Sequence, residues 1–286
     1  MSNNKKIDNI FVIGLGLIGA SLCRSLKESN QFKKIYGYDV NNEVSKIAIE
    51  KRYIDASVEK ILDGIEKSDL IVFCVPVSEI TACLYQSNSF FNSEKIFTDT
   101  LSAKEKIIKY FLENDLSDIN NFIYSHPMAG TENYGIKNSK KDLFTGSTSI
   151  ICSMKNSSNE ALDVVKKLWE FVGCKTSEIE IDYHDEILAA VSHIPHFISF
   201  SLSKKIVDLD FEDKYSWVYE KGSLADMLRI SKSDPVAWAN IFLSNKKYIS
   251  KFINEYIEDL KLLDSNINSE NIDNLISLLK KSNSNN

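Results

Sequence analysis

Four histidines are the side chains of this sequence best suited to proton transfer: His126, His184, His193 and His196. An imidazole titrates close to neutral pH, so it can take a proton from an alcohol and return it. His126 opens the segment HPMAGTE at 126–132, directly after a predicted strand at 122–125. Open α/β sheets bind ligands at the carboxyl ends of their strands, which favours His126 as the base of a substrate loop over a loop histidine without a role.

The other histidines are open to more than one interpretation. His193 and His196 lie three residues apart across Pro195, which is poor geometry for a metal pair, and no cysteine or carboxylate cluster adds ligands. We therefore expect no metal; one of the two is a buried core histidine and the other reaches the cleft. His184 precedes Asp185 and suits a structural role as well as a functional one. The five dispersed cysteines indicate reduced core thiols rather than a disulfide, zinc or redox site.

Arginine is rare in this chain, because only Arg24, Arg52 and Arg229 occur among 34 basic residues. A guanidinium offers a planar fork that binds a carboxylate through two hydrogen bonds, which lysine cannot do. Arg229 is therefore the candidate clamp for a substrate carboxylate. The alternative is a structural ion pair with Asp226 or Asp234.

A glycine motif near the amino terminus is typical of dinucleotide binding. The sequence GLGLIG at 14–19 follows a predicted strand, opens a predicted helix and precedes Asp39 by 20 residues. The glycines allow a tight turn and close approach of a pyrophosphate, and a carboxylate at position 39 binds ribose hydroxyls and repels a 2′-phosphate. These features predict NAD rather than NADP as the cofactor. The alternative is a glycine turn that binds no ligand. The predicted cofactor site comprises Gly14, Gly16, Leu17, Ile18, Gly19, Asp39, Val75 and Pro76.

The elements that must position these residues fall into two domains. Predicted strands at 10–13, 35–39, 70–76, 95–98, 122–125, 148–152 and 177–181 alternate with helices at 18–29, 44–51 and 161–172. This alternation predicts a Rossmann-like, doubly wound, mostly parallel sheet over 1–182. Only helices follow in 183–286: one over 185–209 with a kink at Pro195, one from 235 to 263, and one capped by Ser269 that ends near 281, before a tail disordered from about 282. The apolar faces of this all-α domain predict a homodimer.

Composition excludes several classes of protein. The chain has 286 residues, 43% hydrophobic, with a net charge of -6, which is ordinary for a globular protein and unlike a disordered or coiled-coil chain. No basic stripe favours nucleic acid, and no apolar run is long enough for a membrane span. The amino terminus shows no signal segment, so we expect a cytoplasmic protein.

Together these motifs resemble the prephenate/arogenate (cyclohexadienyl) dehydrogenases of tyrosine biosynthesis. The resemblance extends over about 10–263 and rests on VIGLGLIGASL at 12–22, CVPV at 74–77, TDTLSAK at 98–104, HPMAGTE at 126–132, DLFTG at 142–146, HDEILAAVSHIPH at 184–196 and DMLRISKSDPVAW at 226–238. It implies a nucleotide-binding domain, a helical dimerisation domain and NAD(P)-dependent oxidative decarboxylation. In that reaction hydride leaves the ring carbinol carbon, carbon dioxide is lost and the ring becomes aromatic.

The resemblance also assigns roles to single residues. His126 corresponds to the catalytic histidine, and Ser102 to a serine that hydrogen-bonds this histidine or the substrate hydroxyl. Substrate-pocket positions correspond to Arg229, His193, His196, Thr131, Glu132 and Trp238. Two positions depart from the family pattern: Leu101 replaces a glycine before the serine, and Ala225 replaces a basic residue four before the arginine. The departure at Ala225 leaves prephenate and arogenate both open as substrates.

Two other functions are compatible with a nucleotide fingerprint. One is a different NAD-dependent hydroxyacid-type dehydrogenase, but its catalytic lysine has no matching motif here. The other is an NAD-binding sensor without chemistry, which would not need His126, Ser102 and Arg229.

Overall fold

Eight strands form one sheet in the computed structural model, which describes residues 7–29, 31–130, 133–207 and 222–283. The central strands are short runs of mostly buried side chains, as expected where helices cover both faces of a sheet, whereas the strands at the two edges have no buried side chain. The strands are β1 (Asn9–Ile13), β2 (Lys34–Tyr38), β3 (Ala56–Ser57), β4 (Leu70–Phe73), β5 (Ile96–Asp99), β6 (Phe122–Pro127), β7 (Thr148–Ser153) and β8 (Lys175–Glu180).

The strand order is β3-β2-β1-β4-β5-β6-β7-β8. The pairings from β3 to β6 are all parallel, β7 runs antiparallel to β6, and β8 runs parallel to β7. This confirms the predicted doubly wound, mostly parallel sheet. Strands β2 and β3 are added on one side of β1 and the later strands on the other, so the strand order reverses between the parallel neighbours β1 and β4. A crevice is expected at the carboxyl ends of these two strands, where such sheets bind ligands.

Alternate side chains of the strands enter two separate cores. Ile10 and Val12 of β1 pack in the core on one face, whereas Phe11 and Ile13 pack in the core on the other face. The first core is closed by α1 (Leu17–Ser29), α2 (Asn42–Glu50) and α6 (Asn159–Phe171). The second is closed by α3 (Ile61–Glu66), α4 (Ile80–Ser87) and α5 (Glu105–Glu113).

The described residues beyond β8 form helices. These are α7 (Ile181–Leu188), α8 (Ile194–Val207), α9 (Ser223–Ile230), α10 (Pro235–Ser244), α11 (Lys246–Asn268) and α12 (Ile272–Asn283). A π-helical turn at Ala189–His193 joins α7 to α8 and ends two residues before Pro195. Proline has no N–H and its ring crowds the preceding turn, which explains the irregularity at the position where the kink was predicted.

Several predicted boundaries in the helical part were wrong. The helix predicted from 235 to 263 is interrupted at Asn245, whose backbone leaves helical geometry while its side chain binds residues of another helix. Ser269 ends α11 instead of capping the next helix, and the side chain of Asn271 accepts a hydrogen bond from the N–H of Asn274. Tertiary contacts and short capping interactions decided these ends.

The structure also extends one strand and adds helices. β6 continues to Pro127 because its last residues pair with β7, so His126 lies within the strand, opposite Ile150. The prediction that His126 follows the strand was therefore wrong by two residues. Helices α3, α4 and α5, which were not predicted, cross over between parallel strands. Among the described residues, no helix is long and apolar enough to cross a membrane.

The aromatic cluster between the sheet and α5 yields a stability prediction. Phe122 is fully buried and contacts Phe73, Phe91 and Phe111, with ring centroids 5.1–6.2 Å apart. We expect Phe122→Ala to lower the free energy of unfolding by about 3–5 kcal/mol, because it leaves a cavity in a packed core. Phe171→Ala, at a side chain 47% exposed, is the matched control in denaturant melts and should lose much less. Equal losses would contradict this interpretation of the cluster.

Candidate active site

The glycine loop between β1 and α1 forms a surface that fits a pyrophosphate. Gly14 has a φ of 92°, and a Cβ there would meet the Cys74 carbonyl oxygen at 2.5 Å. A Cβ at Gly19 would lie 1.9 Å from the Gly14 carbonyl oxygen, so glycine is required at both positions. A Cβ at Gly16, in contrast, would meet nothing within 4 Å. The loop is therefore closely packed behind and open at Gly16, where free N–H groups of the first turn of α1 favour an anion.

Asp39 lies directly after β2 and ties that strand to the glycine loop. Its Oδ2 accepts a hydrogen bond from the Leu15 N–H at 2.9 Å, and its Oδ1 accepts one from the Asn41 N–H at 2.9 Å. Each carboxylate oxygen has a second lone pair, so Asp39 can also accept from ribose hydroxyls. The residues present thus fit the adenosine part of NAD.

The segment after β4 borders the same loop. The N–H of Cys74 donates to the Ile13 carbonyl, and Val75 Cγ1 would lie 3.1 Å from a Cβ on Gly14. Pro76 is exposed, and Leu17 and Ile18 are half-buried at the start of α1. The structure therefore brings together the predicted cofactor residues at the crevice between β1 and β4.

His126 is linked to two buried residues of α7. Its Nδ1 lies 3.2 Å from Nε2 of His184, and Nδ1 of His184 lies 2.7 Å from Oδ1 of Asp185. His184 is fully buried and Asp185 is 7% exposed. His184 was left open between a structural and a functional role; the structure places it against the candidate base. The adjacency of His184 and Asp185 was the sequence signal for this pair.

Burial sets the protonation of both histidines. It lowers the pKa of His126 well below the usual value, with additional lowering by electrostatic interaction with His184, Lys104 and His193. Burial also lowers the pKa of His184, against the raising effect of its hydrogen bond to Asp185. Both imidazoles are therefore neutral at physiological pH, which is the state a general base requires.

Below His126, a buried ion pair fixes the ends of β5 and β6. Lys104 is fully buried, and its Nζ donates to Oδ1 of Asp99 at 2.5 Å, to the Leu101 carbonyl at 2.8 Å and to the Ser125 carbonyl at 2.7 Å. A buried ammonium is tolerated only when it is paired and hydrogen-bonded in this way. The strand that carries His126 is thus held to the loop that carries Ser102. Sequence reasoning missed Lys104 as a member of this region.

A second group of residues surrounds His193. The Nδ2 of the buried Asn245 donates to the Asp185 carbonyl at 2.6 Å and lies 3.0 Å from Nδ1 of His193. Burial lowers the pKa of His193 to about 4. The nearby backbone of Ser102 raises this pKa, but only weakly. Trp238 stacks on His196 with ring centroids 3.6 Å apart and meets His193 edge-on at 6.0 Å. His193 is thus the buried member of the pair, and His196 is half-buried.

Not all predicted pocket residues join this cluster. Ser102 is half-buried, and its hydroxyl forms no hydrogen bond with His126. Arg229 is exposed on α9, and within the described chain it pairs with neither Asp226 nor Asp234, the two partners of the alternative interpretation. Thr131 and Glu132 lie outside the described residues. In the described ranges, no three His, Cys, Asp or Glu side chains are grouped to hold a metal ion.

Comparison with known proteins identifies the family. Residues 22–178 match the model of the prephenate dehydrogenase nucleotide-binding domain, and residues 180–281 match the model of the prephenate dehydrogenase dimerization domain. The chain belongs to the prephenate dehydrogenase family. The resemblance drawn from the sequence motifs is therefore confirmed, and the family is one of oxidoreductases with an NAD-binding domain.

Individual relatives cover nearly the whole chain. A cyclohexadienyl dehydrogenase of Zymomonas mobilis is 30% identical over 96% of this chain and 93% of its own length. A prephenate dehydrogenase of Bacillus subtilis is 27% identical over 97% of this chain and 75% of its own length. The crystal structure of prephenate dehydrogenase from Aquifex aeolicus with hydroxyphenyl propionate and NAD+ is 30% identical, covers 98% of both chains and superposes with a TM-score of 0.85.

The open surface at Gly16 predicts a separation of stability from cofactor affinity. Gly16→Ala should fold as stably as the wild type, because the new methyl group meets no protein atom. It should weaken NAD binding at least about 10-fold, or roughly 1.4 kcal/mol, because the methyl group occupies the approach to the backbone. Gly19→Ala should instead lower the thermal midpoint. Calorimetric titration with NAD measures the first effect, and unchanged affinity in Gly16→Ala would contradict this placement of the pyrophosphate.

Asp39 predicts the choice between the two nicotinamide cofactors. Asp39→Ala should reduce the ratio of NAD affinity to NADP affinity, since the repulsion of a 2′-phosphate is lost. Asp39→Asn removes the charge but keeps an acceptor for the Leu15 N–H, so it separates this effect from loosening of the loop. The two dissociation constants of each variant decide the matter, and an unchanged ratio in both variants would remove the assignment.

Proposed function

We propose that this protein catalyses the NAD-dependent oxidative decarboxylation of prephenate, arogenate or both, giving 4-hydroxyphenylpyruvate or tyrosine. One observation carries the proposal: in a chain of the prephenate dehydrogenase family, His126 is a half-buried, neutral imidazole at the carboxyl edge of the sheet. The relatives named above as prephenate and cyclohexadienyl dehydrogenases support it.

His126 supplies the base that this reaction needs. When bound, NAD accepts the hydride from the ring carbinol carbon. His126 takes the proton of the ring hydroxyl as the carbon–oxygen double bond forms. Loss of the ring carboxylate as carbon dioxide then supplies the electron pair that makes the ring aromatic. His126 returns its proton to the phenolic oxygen, so no net proton is released.

Other residues of the chain are suited to holding the substrate. We propose that Arg229 binds a substrate carboxylate, since its guanidinium is exposed and forms no ion pair within the described chain. His196 and Trp238 present a stacked, half-buried ring pair that suits a flat, unsaturated substrate ring. We propose that Ser102 binds the ring hydroxyl and that His193, Thr131 and Glu132 complete the pocket. Ala225 adds no charge, so it leaves the preferred side chain of the substrate to experiment.

We also propose the homodimer, formed through the helical domain at 183–286, with 1–182 as the nucleotide-binding domain. The matched dimerization-domain model supports this assembly. Exposed apolar side chains on α10 to α12 add support; they include Leu243, Ile257, Leu260, Ile272, Ile276 and Leu279. We expect the protein to act in the cytoplasm on a small molecule, with neither nucleic acid nor membrane as a partner.

The proposed activity predicts NADH formation from purified protein, NAD and either prephenate or arogenate. Activity with one substrate identifies the accepted side chain, and comparable activity with both identifies a cyclohexadienyl dehydrogenase. NAD binding without turnover of either substrate would contradict the proposal and favour the sensor.

His126→Asn tests the base within that assay. We expect NAD affinity to be retained and kcat to fall by about 10²- to 10⁴-fold, because the proton acceptor of the transition state is lost. In the wild type, kcat/KM should rise with pH through the lowered pKa of His126 and then level off, since only the neutral imidazole accepts a proton. Near-normal turnover of the variant would rule out the role of His126.

A further inference from the structure

Three side chains form a continuous hydrogen-bonded chain that ends at the candidate base. It runs from His126 Nδ1 to His184 Nε2 at 3.2 Å, and from His184 Nδ1 to Asp185 Oδ1 at 2.7 Å. Each of the two contacts needs one donor and one acceptor. The identity of the last group therefore determines where every proton in the chain lies.

Asp185 can only accept hydrogen bonds. Burial raises the pKa of its carboxyl. The hydrogen bond and charge of His184 and the N–H groups of Lys104 and Glu105 lower this pKa by more than burial raises it, so the net shift is downward. The Lys104 N–H lies 2.9 Å from Oδ1 and 3.0 Å from Oδ2, and the Glu105 N–H lies 3.0 Å from Oδ2. Asp185 is thus an ionised carboxylate, surrounded by donors at the N-terminus of α5.

The direction of the chain follows from this carboxylate. His184 must carry a proton on Nδ1 to donate to Asp185, and since His184 is neutral, its Nε2 has none. The unprotonated Nε2 of His184 accepts from His126, so the proton of the neutral His126 lies on Nδ1. The Nε2 of His126 carries no proton, so its lone pair is available to accept one.

We propose that His184 and Asp185 are positioning residues that fix the tautomer of His126, so that its Nε2 is the atom that takes the substrate proton. This inference rests on the proposed function and names the atom that performs its central step. A neutral histidine without such partners can carry its proton on either nitrogen, and a base with the wrong tautomer presents a donor where a lone pair is needed.

The same chain stabilises the charged state of the reaction. When His126 accepts the proton it becomes a cation in a poorly solvated site, where an isolated charge is costly. Its Nδ1–H still donates to His184, and the carboxylate of Asp185 lies behind that ring. Asn245 holds the backbone of this pair, because its Nδ2 donates to the Asp185 carbonyl. The partners are therefore in place before the substrate arrives.

Asp185→Asn tests this assignment, because it should move the proton of His126 from Nδ1 to Nε2. Its amide oxygen can replace Oδ2, which accepts from the N–H groups of Lys104 and Glu105, and its NH2 group then faces Nδ1 of His184. His184 must then carry its proton on Nε2 and donate to His126. The proton of His126 is displaced to Nε2, which blocks the base.

The tautomers are read by NMR from nitrogen–hydrogen correlations of protein labelled at histidine, in the absence of substrate. The chain has only four histidines, so His126→Asn and His184→Gln suffice to assign the two signals. In the wild type we expect a protonated Nδ1 and an unprotonated Nε2 on His126. In Asp185→Asn we expect protonated Nε2, with kcat reduced by about 10²- to 10⁴-fold and NAD affinity retained.

Two further variants keep the test decisive. Glu186→Gln makes the same acid-to-amide change on the next residue of α7, where the carboxylate pairs only with Lys251 among the described residues; turnover should stay within about twofold. His184→Gln offers an amide N–H to Asp185 and an amide oxygen to His126, so His126 should keep its Nδ1 proton. If Asp185→Asn does not fold, the wild-type and His184→Gln spectra decide.

The inference is overturned if the wild-type His126 carries its proton on Nε2, or if Asp185→Asn folds and leaves the proton on Nδ1. It is also overturned if Asp185→Asn turns over as fast as Glu186→Gln. A wild type with the expected tautomer but no turnover of prephenate or arogenate would instead contradict the proposed function, because the spectra are recorded without substrate.

Discussion

The carboxylate of Asp185 is the contact on which the rest of the site depends. It lies on the first helix after the sheet, yet it accepts the backbone N–H groups of Lys104 and Glu105 at the start of α5, and it binds His184. One buried anion therefore joins the helical part of the chain to the sheet part at the end of β5. A negative charge at the N-terminus of a helix is stabilised by the N–H groups of the first turn, which have no partner within the helix.

Burial has opposite consequences for the two ends of the active site. At the histidines, exclusion of water keeps His126 and His184 neutral and makes each hydrogen bond stronger than it would be at the surface. At Gly16, by contrast, the backbone remains open, as the predicted approach of a pyrophosphate requires. A poorly solvated proton site thus lies on the same sheet edge as an open anion site. In the proposed reaction, the hydride leaves the substrate carbon toward one part of that edge, and the proton leaves the attached oxygen toward another.

Sequence reasoning was most accurate where a local rule has a single structural solution. The glycine fingerprint, the strand that begins at Leu70 and the helix that begins at Pro235 all lie where they were predicted, because glycine geometry, burial on both faces and capping act over a few residues. It was least accurate at Asn245, where a helix is interrupted, and at His126, where pairing with β7 extends a strand. Both features depend on contacts with residues more than 20 positions away in the sequence. The periodicity of a sequence carries no information about such contacts.

The sequence by itself indicated the doubly wound sheet and the family, and it made the glycine loop, Asp39 and His126 the candidates for the NAD site and the base. Each of these depends on residue types at fixed short spacings. Only the tertiary structure decided that His184 and Asp185 stand behind His126, that Asn245 and Lys104 hold this region, and that Arg229 pairs with neither Asp226 nor Asp234. The direction of a hydrogen bond, and with it the position of a proton, depends on which groups the fold brings within about 3 Å of each other. That proximity is set by packing between elements and not by spacing along the chain.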